Sequence, residues 1–349
     1  MDFKKIFIKD ARPTKIGGQA VMEGIMMKGE DRSAVVVRLP DGRMHISTQK
    51  LKSRGKAYRI PVLRGVLIFV DSLVTGMRTL TESAEILEAE AEGEESGEEA
   101  QPGRFEAWLE RRFGEKAVFS FALVFAVVIA IVFTVAVFII APTWVMGLFG
   151  LFIKSHIALN LIEGVFRIAI FVLYILLISK MKDIKTVFRF HGAEHKCIHC
   201  YENGLELTPA NCRSFETLHP RCGTSFLMFV MVISLLLFSL LGWPNLALRI
   251  LSRLLLVPVI AGLSFELLRW AGTSVSPVVK VLSVPGLLLQ RLTTKEPDTG
   301  QLEVAIAALK AVDVPAGTPV YEGLCDRDGR LAKDGRLTFE EIILNWKRP

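Results

Sequence analysis

The residues with most capacity for chemistry in this 349-residue chain are crowded into one stretch: four of its six histidines and four of its five cysteines fall between His191 and Cys222. In His191-Gly192-Ala193-Glu194-His195 the two imidazoles are four residues apart, so a helix projects both from one face with Glu194 beside them. That is the His-x-x-Glu-His order of the inverted zincins, where two histidines hold zinc and the carboxylate serves as general base. Zinc brings the pKa of a coordinated water to about 7, so a nearby carboxylate can take its proton. Such a site needs a third ligand. His219 and Cys222, separated by Pro220 and Arg221, are spaced to approach from the far side of the intervening segment.

Other arrangements of the same residues compete. Cys197, Cys200, Cys212 and Cys222 can form a four-thiolate zinc site, because Cys-Ile-His-Cys has zinc-knuckle spacing, although the gaps of eleven and nine residues match no ribbon pattern. A mixed histidine and cysteine site with an open position fits equally well. Glu194 can also serve only to orient a histidine.

The elements that position these residues are dictated by composition. Apolar side chains make up 51% of the chain and its mean hydropathy is +0.41. Charges are segregated into blocks between long uncharged runs, which excludes a soluble single-domain enzyme and predicts a mainly α, polytopic helical membrane bundle. The net charge of +6 lies in residues flanking apolar runs instead of one patch with interleaved aromatics, so the lipid bilayer, and not nucleic acid, is the expected partner. About four spans are expected, near residues 117–141, 157–179, 224–242 and 250–270, each long enough for a hydrocarbon core of about 30 Å. The first and third are free of charge. The second carries Glu163 and Arg167, and the fourth Arg253 and Glu266; Glu163 is expected to form a structural ion pair with Arg167 and Arg253. Four crossings place both termini and the strongly basic 180–222 connection in the cytoplasm. Residues 1–60 contain no signal-peptide core, so the first span is expected to act as its own insertion signal. A reducing cytosol disfavours disulfides there.

Residues 1–60 should form a cytoplasmic β-containing region. Residues 33–48 alternate apolar side chains around Pro40-Asp41-Gly42, a β-hairpin pattern, and the preceding Gly17–Gly29 segment reads as a loop packed on it. Residues 61–81 read as an amphipathic interfacial or re-entrant helix with Val62, Val66, Phe69, Leu73, Met77 and Leu80 on one stripe. Nine glutamates between Glu82 and Glu99 predict an acidic linker over 82–103. The bundle fills 104–271, with Gly242-Trp243-Pro244 as an interfacial turn. Interfacial and amphipathic helices follow over 272–311, broken at Pro285-Gly286 and restarting after Glu296-Pro297-Asp298, with a soluble extension over 312–349.

Four separated motifs, GGQAVMEGIMMKG, HGAEHK followed by CYE, HPRCGTSF and LTTKEPDTGQLEVAIAAL, run in order over roughly residues 15–310. Together they resemble the YqhQ-like family of bacterial membrane proteins, a domain of unknown function often labelled a metal-dependent enzyme. The resemblance implies a site at His191, Glu194, His195, His219 and Cys222, with Gln19, Glu23, Arg221 and Glu296 at further motif positions. Cys197 departs from the pattern, where threonine commonly stands, which counts against the four-cysteine site. Cys325 lies beyond the resemblance.

Two functions are compatible with this reading. The first is a zinc-dependent hydrolase of the bacterial inner membrane, acting on a membrane-associated peptide or lipid-linked substrate, with Glu194 as base. The second is a non-enzymatic membrane-protein biogenesis or scaffold factor associated with the protein-translocation channel, its His/Cys segment held by a structural metal or a polar staple.

Overall fold

Alternating and uninterrupted apolar patterns produce a small antiparallel sheet and a majority of helices in the computed structural model, which describes residues 3–7, 14–51, 55–94, 115–150, 152–242, 245–274, 276–313 and 336–337. After the short α1 (Phe3–Ile6) come β1 (Gly17–Val21), β2 (Gly24–Lys28), β3 (Arg32–Arg38) and β4 (Met44–Lys50). Helices follow: α2 (Leu63–Glu94), α3 (Glu115–Val135), a π-helical turn (Ala136–Ile140), α4 (Ala141–Phe149), α5 (His156–Ile178), α6 (Lys182–Glu202), α7 (Pro209–Arg213), α8 (Gly223–Ser239), α9 (Leu246–Thr273), α10 (Pro277–Thr293) and α11 (Thr299–Val312). A two-residue strand, β5 (Arg336–Leu337), ends the described chain. Contacts divide the protein into two compact units: Met1–Glu90, Val172–Ile233 and Pro258–Pro349 in one, Ala91–Phe171 and Ser234–Val257 in the other.

In the first unit the strands form an antiparallel meander, with β5 on the β4 edge. The hairpin expected over 33–48 is β3–β4, pairing Val36 with Ile46, and Gly42 turns it at φ 85°. The segment read as a loop over Gly17–Gly29 is instead β1–β2, joined by a two-residue turn with Glu23 at φ 46°. Two features hide these strands. Glycines open β1, and Ile25, Met26 and Met27 of β2 are all buried, because both sheet faces are covered and no polar alternation survives. One face (Ile25, Met27, Ala34, Val36, Met44, Ile46) packs with α6 and α11; the other (Val21, Met26, Val35, Val37) receives Ile86 and Leu87 of α2.

That second contact corrects the linker expected over 82–103. Helix α2 continues through Glu94 because its far end docks on the sheet, where Ser83 is fully buried and Met22 N donates to Ser83 Oγ at 3.3 Å. The rest of that segment lies outside the described residues. On α2 the small and polar side chains turn inward, Thr79 meeting Gln19 at 2.6 Å, while Val70, Leu73, Val74, Met77 and Leu80 stay exposed. The helix is therefore amphipathic, as expected, with its apolar stripe exposed.

Helix α11 was expected to be amphipathic and interfacial; its start is as expected, with a capping box between Asp298 and Gln301, but its setting is not. It is the core of the unit: Leu302, Ile306 and Leu309 are fully buried against the sheet and α6, worth about 1.5–3 kcal/mol each. Helix α10 runs unbroken through Pro285-Gly286, with Gly286 tight against Ser225 and Leu287 buried. The extension over 312–349, apart from Val312, Asp313 and β5, and the turn at Trp243-Pro244 lie outside the described residues.

Among the described residues, three helical stretches are long and apolar enough to cross a membrane: Val124–Phe149, His156–Ile178 and Leu246–Gly272. The uncharged run at 224–242 yields only the 17 residues of α8, about 25 Å of helix, so the two charge-bearing stretches are the longer ones. Their charges are paired. In the second unit Glu163 accepts from Arg167 Nη2 (2.8 Å) and Thr143 Oγ1 (2.9 Å) at one oxygen and from Arg253 Nη2 (2.7 Å) at the other, all four side chains being buried. Arg167 Nε also donates to Phe138 O at 2.7 Å, and both guanidinium groups lie over the Phe238 ring.

Removing the shared anion leaves two buried cations. Glu163→Ala is expected to destabilise the detergent-solubilised protein by about 3–5 kcal/mol, and Glu163→Gln, which keeps an acceptor, by less; thermal unfolding of the two variants gives the comparison.

Candidate metal centre

Helix α6 is two-faced. Phe190, Ala193, Cys197 and Cys200 recur at helical spacing and enter the core against the sheet and α11. His191, His195, His199 and Glu202 form the opposite stripe, with imidazole centroids at 4.5 Å for His191–His195. The segment expected as a His/Cys loop over 180–222 is therefore mostly helix, and the helix aims the histidines.

Backbone carbonyls fix the ring states. His191 Nδ1 lies 2.9 Å from Thr293 O, and His195 Nδ1 meets Thr217 O. A carbonyl only accepts, so both Nδ1 atoms carry a proton and Nε2 is the ring nitrogen left to face a ligand. His191 Nε2 faces Cys222 Sγ at 3.1 Å. A ring nitrogen from each histidine and Cys222 Sγ all lie within 4.8 Å of one another. Burial pushes the His195 pKa down, which keeps that ring neutral. Two imidazoles oriented by carbonyls, plus a thiol, are donor types that zinc accepts.

Glu194 lies on the same turn, buried, with Oε1 accepting from Gly18 N of β1 at 2.9 Å. Burial raises its pKa against the lowering effect of His191 and that N–H, moving the carboxyl toward neutrality, where a general acid–base group works best.

The remaining site residues expected from the sequence separate into groups. The His219 ring lies 5.5 Å from that of His195 but its nitrogens turn to other partners: Nδ1 accepts from Arg221 N at 3.3 Å, and Nε2 is 3.8 Å from Glu202 Oε2. Gln290 grips its backbone from both sides, accepting from His219 N (2.8 Å) and donating to His219 O (2.9 Å). Of the two candidate third ligands, the cluster contains Cys222. The four-thiolate alternative fails on packing, because Cys197, Cys200 and Cys212 are inside the apolar core while Cys222 faces His191. Hydrogen bonding to Cys197 pushes the Cys212 thiol up, so that thiol stays protonated. None of the four forms a disulfide.

Of the outer motif residues, Arg221 binds Glu202, Gln19 ties β1 to α2, and Glu23 occupies the β1–β2 turn. Glu296 pairs with Lys196 Nζ at 3.0 Å; that buried ammonium also donates to Arg213 O (3.0 Å) and Phe215 O (2.6 Å), which uses all three of its protons. Sequence reasoning missed His199, Glu202 and Gln290. The first two continue the 191–195 spacing and were open to detection; Gln290 was not. His199 gives Nε2–H to Leu218 O (3.0 Å), and Glu202 accepts from Thr14 N (2.8 Å), Thr14 Oγ1 (3.0 Å) and Arg221.

Two close approaches hold the frame. A Cβ on Gly192 would stand 2.1 Å from Lys295 O, and one on Gly18 would stand 2.4 Å from Met26 O. Only glycine fits at either position, so the HG pair of the motif lets the 293–296 segment cross α6 and bring Thr293 O to His191.

The fold and the cluster define a mainly helical protein with membrane-length apolar helices and a small sheet that carries a buried histidine–cysteine centre. The family described as "Protein of unknown function (DUF1385)" matches residues 60–314. A Bacillus subtilis (strain 168) protein, "Uncharacterized protein YqhQ", is 33% identical over 298 residues, 84% of this chain and 91% of that protein. The chain belongs to this YqhQ-like family. No solved structure matches it.

Two outcomes follow. Gly192→Ala should cost about 1–3 kcal/mol or more through overpacking, read as lost thermal stability. Burial also holds His199 and His219 at about 4 and about 3, below their ordinary 6.5. Burial would raise Glu202, but His219, Arg221 and Thr14 outweigh it and hold it at about 2 against 4.5. As pH falls below 6.5 the unfolded chain takes up imidazole protons that the folded protein refuses, and below 4.5 the Glu202 contribution is lost too. Stability should therefore decline continuously from pH 6.5 toward 3. Limited proteolysis across that range measures it, and His199→Gln should narrow the loss between 6.5 and 4.

Proposed function

We propose that the protein is a zinc-dependent hydrolase of the bacterial inner membrane, with a cytoplasm-facing centre that acts on a membrane-associated peptide or lipid-linked substrate. The observation that carries this reading is the pair of carbonyl-held imidazoles whose ring nitrogens gather within 4.8 Å with Cys222 Sγ. His191, His195 and Cys222 would hold the ion. When bound, zinc supplies Lewis-acid polarisation and a more acidic water.

The chain's own residues do the rest. Thr293 and Thr217 orient the imidazoles, and Gly18 N–H holds Glu194 by Oε1, leaving Oε2 as the atom that takes and returns a proton. The segments bearing those carbonyls also line a cavity of about 450 Å³ with Leu218, Arg291, Lys295 and Glu296 in its wall, a volume in the range of ligand pockets. The basic 180–222 segment supports four crossings and cytoplasmic termini.

One observation favours a second reading, a non-enzymatic biogenesis factor associated with the protein-translocation channel. Glu194 is tied to β1, as a residue would be whose role is to fasten sheet to helix around a structural metal.

Metal analysis of the purified protein tests both. About one zinc per chain is expected, lost in His195→Ala and Cys222→Ser; sub-stoichiometric metal in the wild type defeats the zinc assignment. Glu194→Gln should retain zinc and abolish cellular function. Retained zinc with unchanged function would favour the structural reading.

A further inference from the structure

The two histidines of the centre are set by α6, but Cys222 lies in the short arc between α7 and α8, where no helix or strand fixes its position. A thiol on such an arc can meet the imidazoles only if something holds the arc in register with α6. Part of the hold is local. Cys222 N donates to His219 O at 3.3 Å across Pro220 and Arg221, and Ser225 N donates to Cys222 O at 3.1 Å. The sulfur-bearing residue therefore sits between two anchor points, His219 and Ser225.

One side chain holds both anchors. Gln290 of α10 is wholly buried, and its Oε1 accepts from His219 N at 2.8 Å. Its amide nitrogen donates to His219 O at 2.9 Å and to Ser225 Oγ at 3.0 Å, which uses both protons. A backbone N–H only donates and a carbonyl only accepts, so a single orientation of the amide satisfies all three bonds.

The same stretch of α10 reaches the histidines. Gly286 lies against Ser225, where a Cβ would stand 2.5 Å from the hydroxyl oxygen, and Thr293 O is 2.9 Å from His191 Nδ1. Gly286, Gln290 and Thr293 thus bring together the two parts that face one another at 3.1 Å, His191 Nε2 and Cys222 Sγ. Arg221 also ties the arc down, to Glu202 and to Thr14 O (3.3 Å), but from one residue only, whereas Gln290 grips the chain on either side of Cys222.

We propose that Gln290 is the positioning residue of the centre, holding Cys222 Sγ against the imidazoles so that the thiol can complete a metal site. Its effect on metal binding rests on the zinc reading; its placement of the thiol does not.

Two measurements on the full-length protein in detergent test the two parts separately. The first is alkylation of the metal-free protein by iodoacetamide, mapped cysteine by cysteine. Gln290→Met removes the amide at nearly constant volume and should raise the rate at Cys222 about tenfold or more, while Cys197, Cys200 and Cys212 stay as slow as in the wild type. The second uses cobalt(II) as the probe, because a sulfur bound to cobalt gives a near-ultraviolet charge-transfer band, which Cys222→Ser should abolish. Gln290→Met should lose most of that band while cobalt stays on the imidazoles, with affinity lower by about 10–100-fold. If Gln290→Met does not fold, Ser225→Ala, which frees one anchor and keeps both bonds to His219, should shift both readouts the same way and by less. Unchanged alkylation at Cys222 in the variant that folds, a rise shared by the three core cysteines, or a full charge-transfer band in that variant overturns the proposal. Failure of the wild type to bind cobalt defeats the zinc reading instead, and alkylation alone then decides whether Gln290 places the thiol.

Discussion

The carbonyl oxygen of Lys295 occupies the space beside Gly192 where any other residue would have a Cβ. Much of the first unit depends on that crossing. Because the 293–296 segment lies directly on α6, Thr293 O reaches His191, Lys295 N reaches Phe188 O at 2.9 Å, and Glu296 reaches Lys196. Asp298 then caps α11, which delivers the apolar core of the unit. Close backbone contact therefore sets both the ring state of a candidate ligand and the register of the central helix.

The cost of such a crossing is buried polarity, and the structure meets it group by group. Lys196 places its three protons on three oxygens. Glu202 is engaged by His219, Arg221 and Thr14, which is why it stays ionised despite burial. His199 and His219 remain neutral instead, each with a backbone partner. Acid is the natural disruptor of this arrangement, since it adds charge where only neutral rings are accommodated.

Legibility in the sequence followed the residue type that bears each interaction. His191, Glu194 and His195 were readable because side-chain identity and helical period coincide. The β3–β4 hairpin was readable because β4 alternates buried and polar residues and Pro40-Asp41-Gly42 marks the turn, whereas β2, buried on both faces, shows no period. The α11 start was readable from Asp298 and Gln301, but its burial was not, since alanine, lysine and glutamine fill positions that only tertiary packing conceals. The carbonyls of Thr217 and Thr293 were invisible in principle: every residue has one, and only the fold decides which meets an imidazole.

The division of labour on α6 explains why a cluster rich in cysteine offers one thiol to the histidines. Two stripes of the helix lie about half a turn apart, one carrying thiols and one imidazoles. The thiol stripe packs on the sheet and α11, and Cys212 of α7 joins it there, its thiol pushed up by hydrogen bonding to Cys197 and by burial. Cys222 comes from outside the helix, just ahead of α8, and approaches from the imidazole side, with Thr224 Oγ1 3.2 Å from its sulfur. Spacing along the chain grouped all four cysteines; burial distinguishes the one whose sulfur can act as a ligand from three that pack as small apolar side chains.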